Sequence, residues 1–252
     1  VTTSALGLAL GWPGRVLLAE CDPLGRRVLP GFMVDRMRGS AGSGLLGLAM
    51  AAEADPQATL VPDDHVMSIV DDGRVELLHG LGDPRHGARL RPVWRRLAEA
   101  LATRDGDVIA DLGQIGGADT PAELLMAADA VILVLKPTLV QVDAAKPRLD
   151  ALREVVDERA AVGACLIADG AYTSAEVERA LGVPVLVELP FSRADAQVLS
   201  DGARPRLTFR TSLLVRSLDA LGRRVRAAVT ESETVRTGIA RPVSPATTEA
   251  SQ

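Results

Sequence analysis

The sequence predicts an α/β protein: a doubly wound, mostly parallel sheet with helices on both faces. Three observations carry this. Short apolar runs alternate with helix-length amphipathic segments along most of the 252 residues. The strongest of those runs, 15–20 and 130–135, are apolar almost throughout, as in strands covered on both faces. Aromatic residues make up only 2% against 47% hydrophobic residues, so the core must be built from Leu, Val, Ala and Ile.

Taken in order, 2–10 reads as a helix. Thr2 to Ser4 offer capping groups, and Gly11, Pro13 and Gly14 stop it. Residues 15–20 are a buried strand, and 24–44 a glycine-rich loop. A helix is expected at 45–54, then two short strands, 66–70 and 74–79, around the turn Asp71-Asp72-Gly73. Residues 89–103 place Leu90, Val93, Leu97 and Leu101 on one helical face and arginines on the other. A strand at 107–112 ends in a glycine turn, 113–117, and a short helix spans 121–127. Pro137 terminates the strand 130–135, and 140–158 is helical. Strand 161–168, helix 174–181, strand 185–189 and an amphipathic helix 211–228 complete a domain spanning 1–229. The Glu-, Ser-, Thr- and Pro-rich stretch 230–252 reads as a disordered tail.

A net charge of −5 provides no global basic field for nucleic acid. Cys21 and Cys165 lie in apolar runs and read as buried thiols, and His65, His79 and His86 form no ligand spacing. No apolar run approaches the roughly 18 residues of a membrane span, and no secretory signal is visible. A membrane partner is not expected, and the cytoplasm is the expected location.

Chemistry concentrates at strand ends. Thr2 opens the first helix, Asp22 follows the first strand and Asp111 ends the strand that begins at Asp107. In a parallel sheet these positions share the carboxyl edge, where ligands bind. A hydroxyl at a helix N-terminus and a carboxylate at a strand end can hold Mg²⁺, while the helix's free N–H groups suit phosphate. A second carboxylate can orient water. Thr-Thr caps and strand-end Asp residues are also common structural features, and spacing alone leaves both readings open.

Together the segments resemble the ParA/MinD family of deviant Walker P-loop ATPases. Thr2-Thr3-Ser4-Ala5-Leu6-Gly7-Leu8-Ala9 resembles the family's Thr-Thr and first helix. Arg15 through Glu20-Cys21-Asp22-Pro23 resembles its second strand and acidic switch, and Asp107-Val108-Ile109-Ala110-Asp111 its Walker B strand. Ala128 to Thr138 and Gly182 to Pro190 resemble two later strands, so the likeness runs from Val1 to about residue 228. The resemblance implies a P-loop NTPase-like sheet lacking its first strand and glycine turn. These are expected upstream, in a gene product whose valine-coded start has been assigned too far downstream. It implies ATP and Mg²⁺ as cofactors. Val1, Thr2, Thr3 and Glu20 are the nucleotide-binding positions, Thr2 and Asp111 hold the metal, and catalytic Asp22 positions the water.

Two departures stand out. Val1 occupies the position of the phosphate-binding lysine, and Glu20 that of an Asp. The stretch Asp169-Gly170-Ala171-Tyr172 lacks the Asn expected at the adenine. The implied function is a nucleotide-binding partitioning, positioning or secretion-associated factor with weak or absent hydrolysis. Its partners would be nucleotide, a second copy, a protein partner and non-specific DNA. The alternatives are a pseudo-ATPase serving as an interaction module, or a DNA-binding accessory factor. The last would use Arg89, Arg91, Arg95 and Arg96 near Trp94, or Arg216, Arg223, Arg224 and Arg226 on the last helix.

Overall fold

The computed structural model describes residues 1–36, 40–117 and 119–237. It is an α/β fold with a mostly parallel sheet arrangement flanked by helices, as the sequence predicts. Helix α1 (Thr2–Leu10) leads through a short turn into β1 (Val16–Glu20). Helix α2 (Gly44–Ala54), β2 (Met67–Ser68), β3 (Val75–Leu78), α3 (Trp94–Ala102) and β4 (Asp107–Asp111) follow. Then come α4 (Ala122–Met126), β5 (Ala130–Leu135), α5 (Leu139–Val155), β6 (Ala161–Ala168), α6 (Ser174–Leu181) and β7 (Val185–Pro190). The chain ends in α7 (Arg193–Ser200) and α8 (Leu213–Thr237).

The strands form two sheets, ordered β2-β3-β1-β4 and β5-β6-β7. All pairings are parallel except β2 with β3, the hairpin around Gly73. Strand β1 is the fully buried centre of the first sheet, every residue enclosed. One core lies between the strands and the α1–α8 pair, and it draws side chains from both sheets, including Leu18, Ile109, Ile132 and Leu189. A second packs Leu17, Leu78, Leu48 and Leu97 between the first sheet and helices α2 and α3. A third joins Leu166, Leu149 and Leu181 under α5 and α6.

Helices α1 and α8 lie side by side and run the same way, because Gly7 faces Leu218 and Gly222 faces Leu8 and Trp12. At the far end of α1, the Arg74 guanidinium donates to the carbonyls of Leu10 (2.8 Å) and Trp12 (3.1 Å). A cation there complements the negative helix end. Trp12 Nε1 donates to Asp107 Oδ2 at 2.7 Å, joining that end to the start of β4. The first turn of α1 therefore lies at the carboxyl end of the strands.

Several boundaries differ from expectation. Residues 84–89 form a 3₁₀ turn capped by Asp83, so the helix expected from 89 begins at Trp94. Helix α7, capped by the Ser192 side chain, lies where no helix is expected from the sequence. Helix α8 runs to Thr237, beyond the boundary expected at 229, and residues 238–252 lie outside the described residues. Thr2 to Ser4 do not cap α1; the N-cap is Val1, with no side-chain cap hydrogen bond. Among the described residues no helix is long and apolar enough to cross a membrane.

Candidate functional site

Two of the predicted acids flank one turn, that at Gly113. Glu20 pairs in register with Asp111, and the Cys21 N–H donates to the Asp111 carbonyl at 2.8 Å. Asp22 stands just past β1, and its carboxylate lies against Gly113, just past β4. A Cβ at Gly113 would stand 2.2 Å from Asp22 Oδ2. Asp22 and Asp111 are 5% and 2% exposed, among the few enclosed polar residues. Each carboxylate braces its own turn: Asp22 Oδ1 accepts from the Leu24 N–H at 2.9 Å, and Asp111 Oδ1 from the Gly113 N–H at 3.0 Å. The second oxygen of each takes no protein donor among the described residues and is not sealed from solvent.

Glu20 behaves differently from the ligand position expected of it. Its Oε1 accepts from the N–H groups of Arg27 (2.7 Å) and Val28 (2.9 Å), and its Oε2 from Gly80 (3.2 Å). The carboxylate is turned inward and holds the loop after Asp22 against the end of β3. Burial raises its pKa above the ordinary value; the three N–H donors oppose this, and the charge of Asp111 adds to it. The same burial, with Asp111 and Glu20 alongside, pushes the Cys21 thiol far above its usual range, as for a free cysteine enclosed in the core.

Thr2 and Thr3 are half-buried and Val1 is exposed at the start of α1. The Val1 carbonyl accepts the first helical bonds from Ser4 and Ala5, both at 2.9 Å. The N–H groups of Thr2 and Thr3 precede that ladder, as at every helix start, and neither hydroxyl is used in a cap. The structure thus places Asp22 and Asp111 together and sets Thr2 and Thr3 on the same carboxyl edge. It shows no contact between these hydroxyls and the acids.

Three features of this edge lay outside the sequence prediction. The turn after β4 is held by Arg148 of α5, whose Nε donates to the Ile115 carbonyl at 3.0 Å. Lys136, at the end of β5, pairs with Asp169 at 2.6 Å and lies 5.2 Å from the Phe191 ring centroid. Asp169, where an Asn was sought, is thereby occupied by an ion pair. Gly113, at φ +63° and tight against Asp22, was read only as part of a turn. Strand-end position was the signal available for Lys136; nothing local marks Arg148.

The arginines expected on one basic face are engaged at home. Arg89 pairs with Glu53, Arg91 with Asp119 and Arg95 with Glu99. Arg96 donates to the carbonyls of Ala52, Asp55 and Ala58. On α8, Arg224 donates to the Leu186 carbonyl.

Metal fit follows from the donor set. Among the described residues no group of three or more His, Cys, Asp or Glu could hold a cation. A hard cation here would draw on hydroxyl, water and phosphate oxygens beside the carboxylates, which is the mode of Mg²⁺.

The architecture is an open, mostly parallel α/β sheet with two acids and a helix start on its carboxyl edge, the edge where such sheets bind ligands. Solved structures share it. A ParA family ATPase from Chlorobium tepidum TLS superposes with a TM-score of 0.66 at 17% identity, covering 90% of this chain and 92% of that one. The septum site-determining protein MinD complexed with Mg-ADP, from Pyrococcus horikoshii OT3, gives 0.65 at 17%, covering 92% and 91%. A single-residue variant of McdA from Cyanothece, in complex with ATP, gives 0.61 at 15%, covering 96% and 93%. The chain therefore has the ParA/MinD-like P-loop ATPase fold. No family model matches the sequence, and no curated protein matches it.

Proposed function

We propose that this chain is a nucleotide-responsive factor of the ParA/MinD kind, serving partitioning, positioning or secretion-associated organisation in the cytoplasm. The observation that carries the reading is the placement of Asp22 and Asp111 about one turn at Gly113, each with one carboxylate oxygen free of protein donors among the described residues. On this reading ATP with Mg²⁺ lies along the carboxyl edge. The N–H groups of Val1, Thr2 and Thr3 face phosphate, and the Thr2 hydroxyl and Asp111 share the metal's coordination sphere. Bound Mg²⁺ would supply charge neutralisation of the phosphates. Asp22 orients a water, and Glu20 acts one step back, fixing the loop that carries Asp22.

Hydrolysis is slow or absent on this reading. Val1 brings no charge to the position where a lysine would stabilise developing negative charge. That same residue favours a second reading, a nucleotide-binding pseudo-enzyme that uses the fold as an interaction module. A second copy of the chain or another protein is the proposed partner. The internal pairing of Arg89, Arg91, Arg95 and Arg96 speaks against a DNA face there.

The test is a thermal-shift titration with ATP and Mg²⁺, followed by single-turnover hydrolysis. Binding raises Tm through ligand linkage. Thr2→Ala should weaken the Mg²⁺-dependent part, and Asp22→Ala should spare binding and abolish turnover. Absence of any nucleotide-linked shift would refute the nucleotide-binding reading; binding without turnover selects the pseudo-enzyme.

A further inference from the structure

At the start of α2 a serine hydroxyl is used differently from the other helix caps. Ser43 is the N-cap residue, yet its side chain caps no helix N–H. Thr138, Thr173 and Ser192, the caps of α5, α6 and α7, each accept from the N–H three residues on. Ser43 Oγ instead lies 2.6 Å from Nδ1 of His65, which ends the 3₁₀ turn Pro62–His65. Ser43 is exposed and His65 half-buried. The other ring nitrogen, His65 Nε2, has no protein partner among the described residues and is open to solvent.

Two glycines make room for the pair. A Cβ at Gly42 would stand 2.7 Å from the His65 carbonyl oxygen and 2.9 Å from that of Val66, so the chain ahead of Ser43 lies directly on the backbone that carries the ring. A Cβ at Gly47 would stand 2.2 Å from Ser43 Oγ and 3.2 Å from His65 Nδ1. A side chain there would displace the hydroxyl from the imidazole. The Leu45 N–H donates to the His79 carbonyl at 3.0 Å, which fixes the start of α2 against the end of β3. The serine and the ring are thus held by backbone on both sides.

The surroundings supply donors and apolar surface. The helical ladder of α2 opens with the Gly47 N–H donating to the Ser43 carbonyl at 3.0 Å. The N–H groups of Gly44 and Leu46 precede it, and neither has a protein acceptor among the described residues. Positions 43, 47 and 50 share one face of α2, and α2 packs on the 3₁₀ turn that ends in His65. Met50 on that face and Val61, just ahead of the turn, are exposed apolar residues.

We infer that Ser43 and His65 form a nucleophile–base pair that acts on carboxylic esters with a short apolar acyl chain. The pair uses none of the residues of the nucleotide reading. Ser43 Oγ adds to the ester carbonyl carbon while its proton passes to His65 Nδ1. The carbonyl π pair moves onto oxygen, and the N–H groups of Gly44 and Leu46 are the donors available to that oxyanion. The pair then returns, the C–O bond to the alcohol breaks, and the alcohol leaves with the proton from His65. Water repeats the sequence on the acyl-serine: its proton goes to His65, the carboxylic acid leaves and Ser43 regains its hydrogen. The net change is ester plus water to acid plus alcohol. Met50 and Val61 are the surface for the acyl chain. No carboxylate orients His65 Nε2 among the described residues, so turnover is slow and trapping of the serine is the sharper readout.

The test treats the full chain with an alkyl fluorophosphonate, from which an activated serine displaces fluoride, and locates the adduct by peptide mass spectrometry. Ser43 should carry it. Ser40 is the control within the same chain: its hydroxyl accepts from the Gly42 N–H and has no histidine beside it. Ser43 should be labelled roughly a hundredfold faster than Ser40, and His65→Gln should remove that advantage. Gly47→Ala should remove it too, because the new Cβ crowds Ser43 Oγ. Hydrolysis of p-nitrophenyl butyrate should fall in parallel in Ser43→Ala and His65→Gln. Equal labelling of Ser40 and Ser43 in the unaltered chain overturns the inference whether or not the variants fold. So does unchanged labelling of a folded His65→Gln, which would leave the hydrogen bond as a tie between α2 and the turn. ATP with Mg²⁺ should leave the labelling unchanged, and a nucleotide-linked thermal shift should survive Ser43→Ala, so the two readings fail separately.

Discussion

Gly113→Ala tests the placement of Asp22 against the turn that Asp111 braces. Two effects act at Gly113. Its φ is +63°, a conformation that costs an L-residue about 1 kcal/mol. Its added Cβ would also lie 2.2 Å from Asp22 Oδ2 and 2.3 Å from Asp22 Cγ, so the carboxylate or the turn must move. Overpacking of this kind costs about 1–3 kcal/mol. The sum is about 2–4 kcal/mol of lost stability, read by urea denaturation at constant m-value. Two other glycines separate the contributions. Gly73 has φ +69° and open space where a Cβ would go, so Gly73→Ala isolates the backbone part at about 1 kcal/mol. Gly14 has open space and no left-handed backbone, so Gly14→Ala should be neutral to slightly stabilising. If Gly113→Ala costs no more than Gly73→Ala, Asp22 does not sit against the turn after β4, and the placement of both acids at that turn is refuted.

Glu20→Ala should cost about 2–4 kcal/mol, because the N–H groups of Arg27, Val28 and Gly80 lose their acceptor. Chemical denaturation measures it, with faster proteolysis in 22–30 as the local signature. The pKa of Glu20 is raised in the folded state, so its proton-linked stability is full below the ordinary value of 4.5 and is lost as pH rises through the folded value. A stability–pH profile of Glu20→Gln should be flatter than wild type in that window. Arg104 is only 4% exposed in its side chain and bridges Asp63 and Glu76, so Arg104→Ala should cost about 3 kcal/mol. A cost below about 1 kcal/mol would show that this pair is solvated. Lys136→Met should change stability by about 1 kcal/mol or less despite its short ion pair, because both partners are well exposed; a double-mutant cycle with Asp169→Asn checks this.

The alternation of strands and helices was legible in the sequence because each apolar run carries its own period and its own stop signals. Residues 15–20, 130–135 and 161–168 became strands for that reason, and Gly182, at φ +66°, closes α6 where a helix stop was expected. Helix α7 escaped because Arg193 to Ser200 show only two buried apolar residues, Val198 and Leu199, and the capping Ser192 is a signal shared with turns. The late start of α3 escaped because Leu90 and Val93 already follow the helical period, whereas the 3₁₀ turn at 84–89 delays the helix to Trp94.

The sequence by itself determined the fold class, the strand-end placement of Asp22 and Asp111, and the apolar character of every major strand. These are local properties, written in spacing and composition. Only the tertiary structure decided that Glu20 faces inward and that the arginines of 89–96 are consumed by neighbours. Each depends on which distant backbone N–H or carboxylate lies opposite. That is set by how the sheets pack around α1 and α8, which no run of neighbouring residues records.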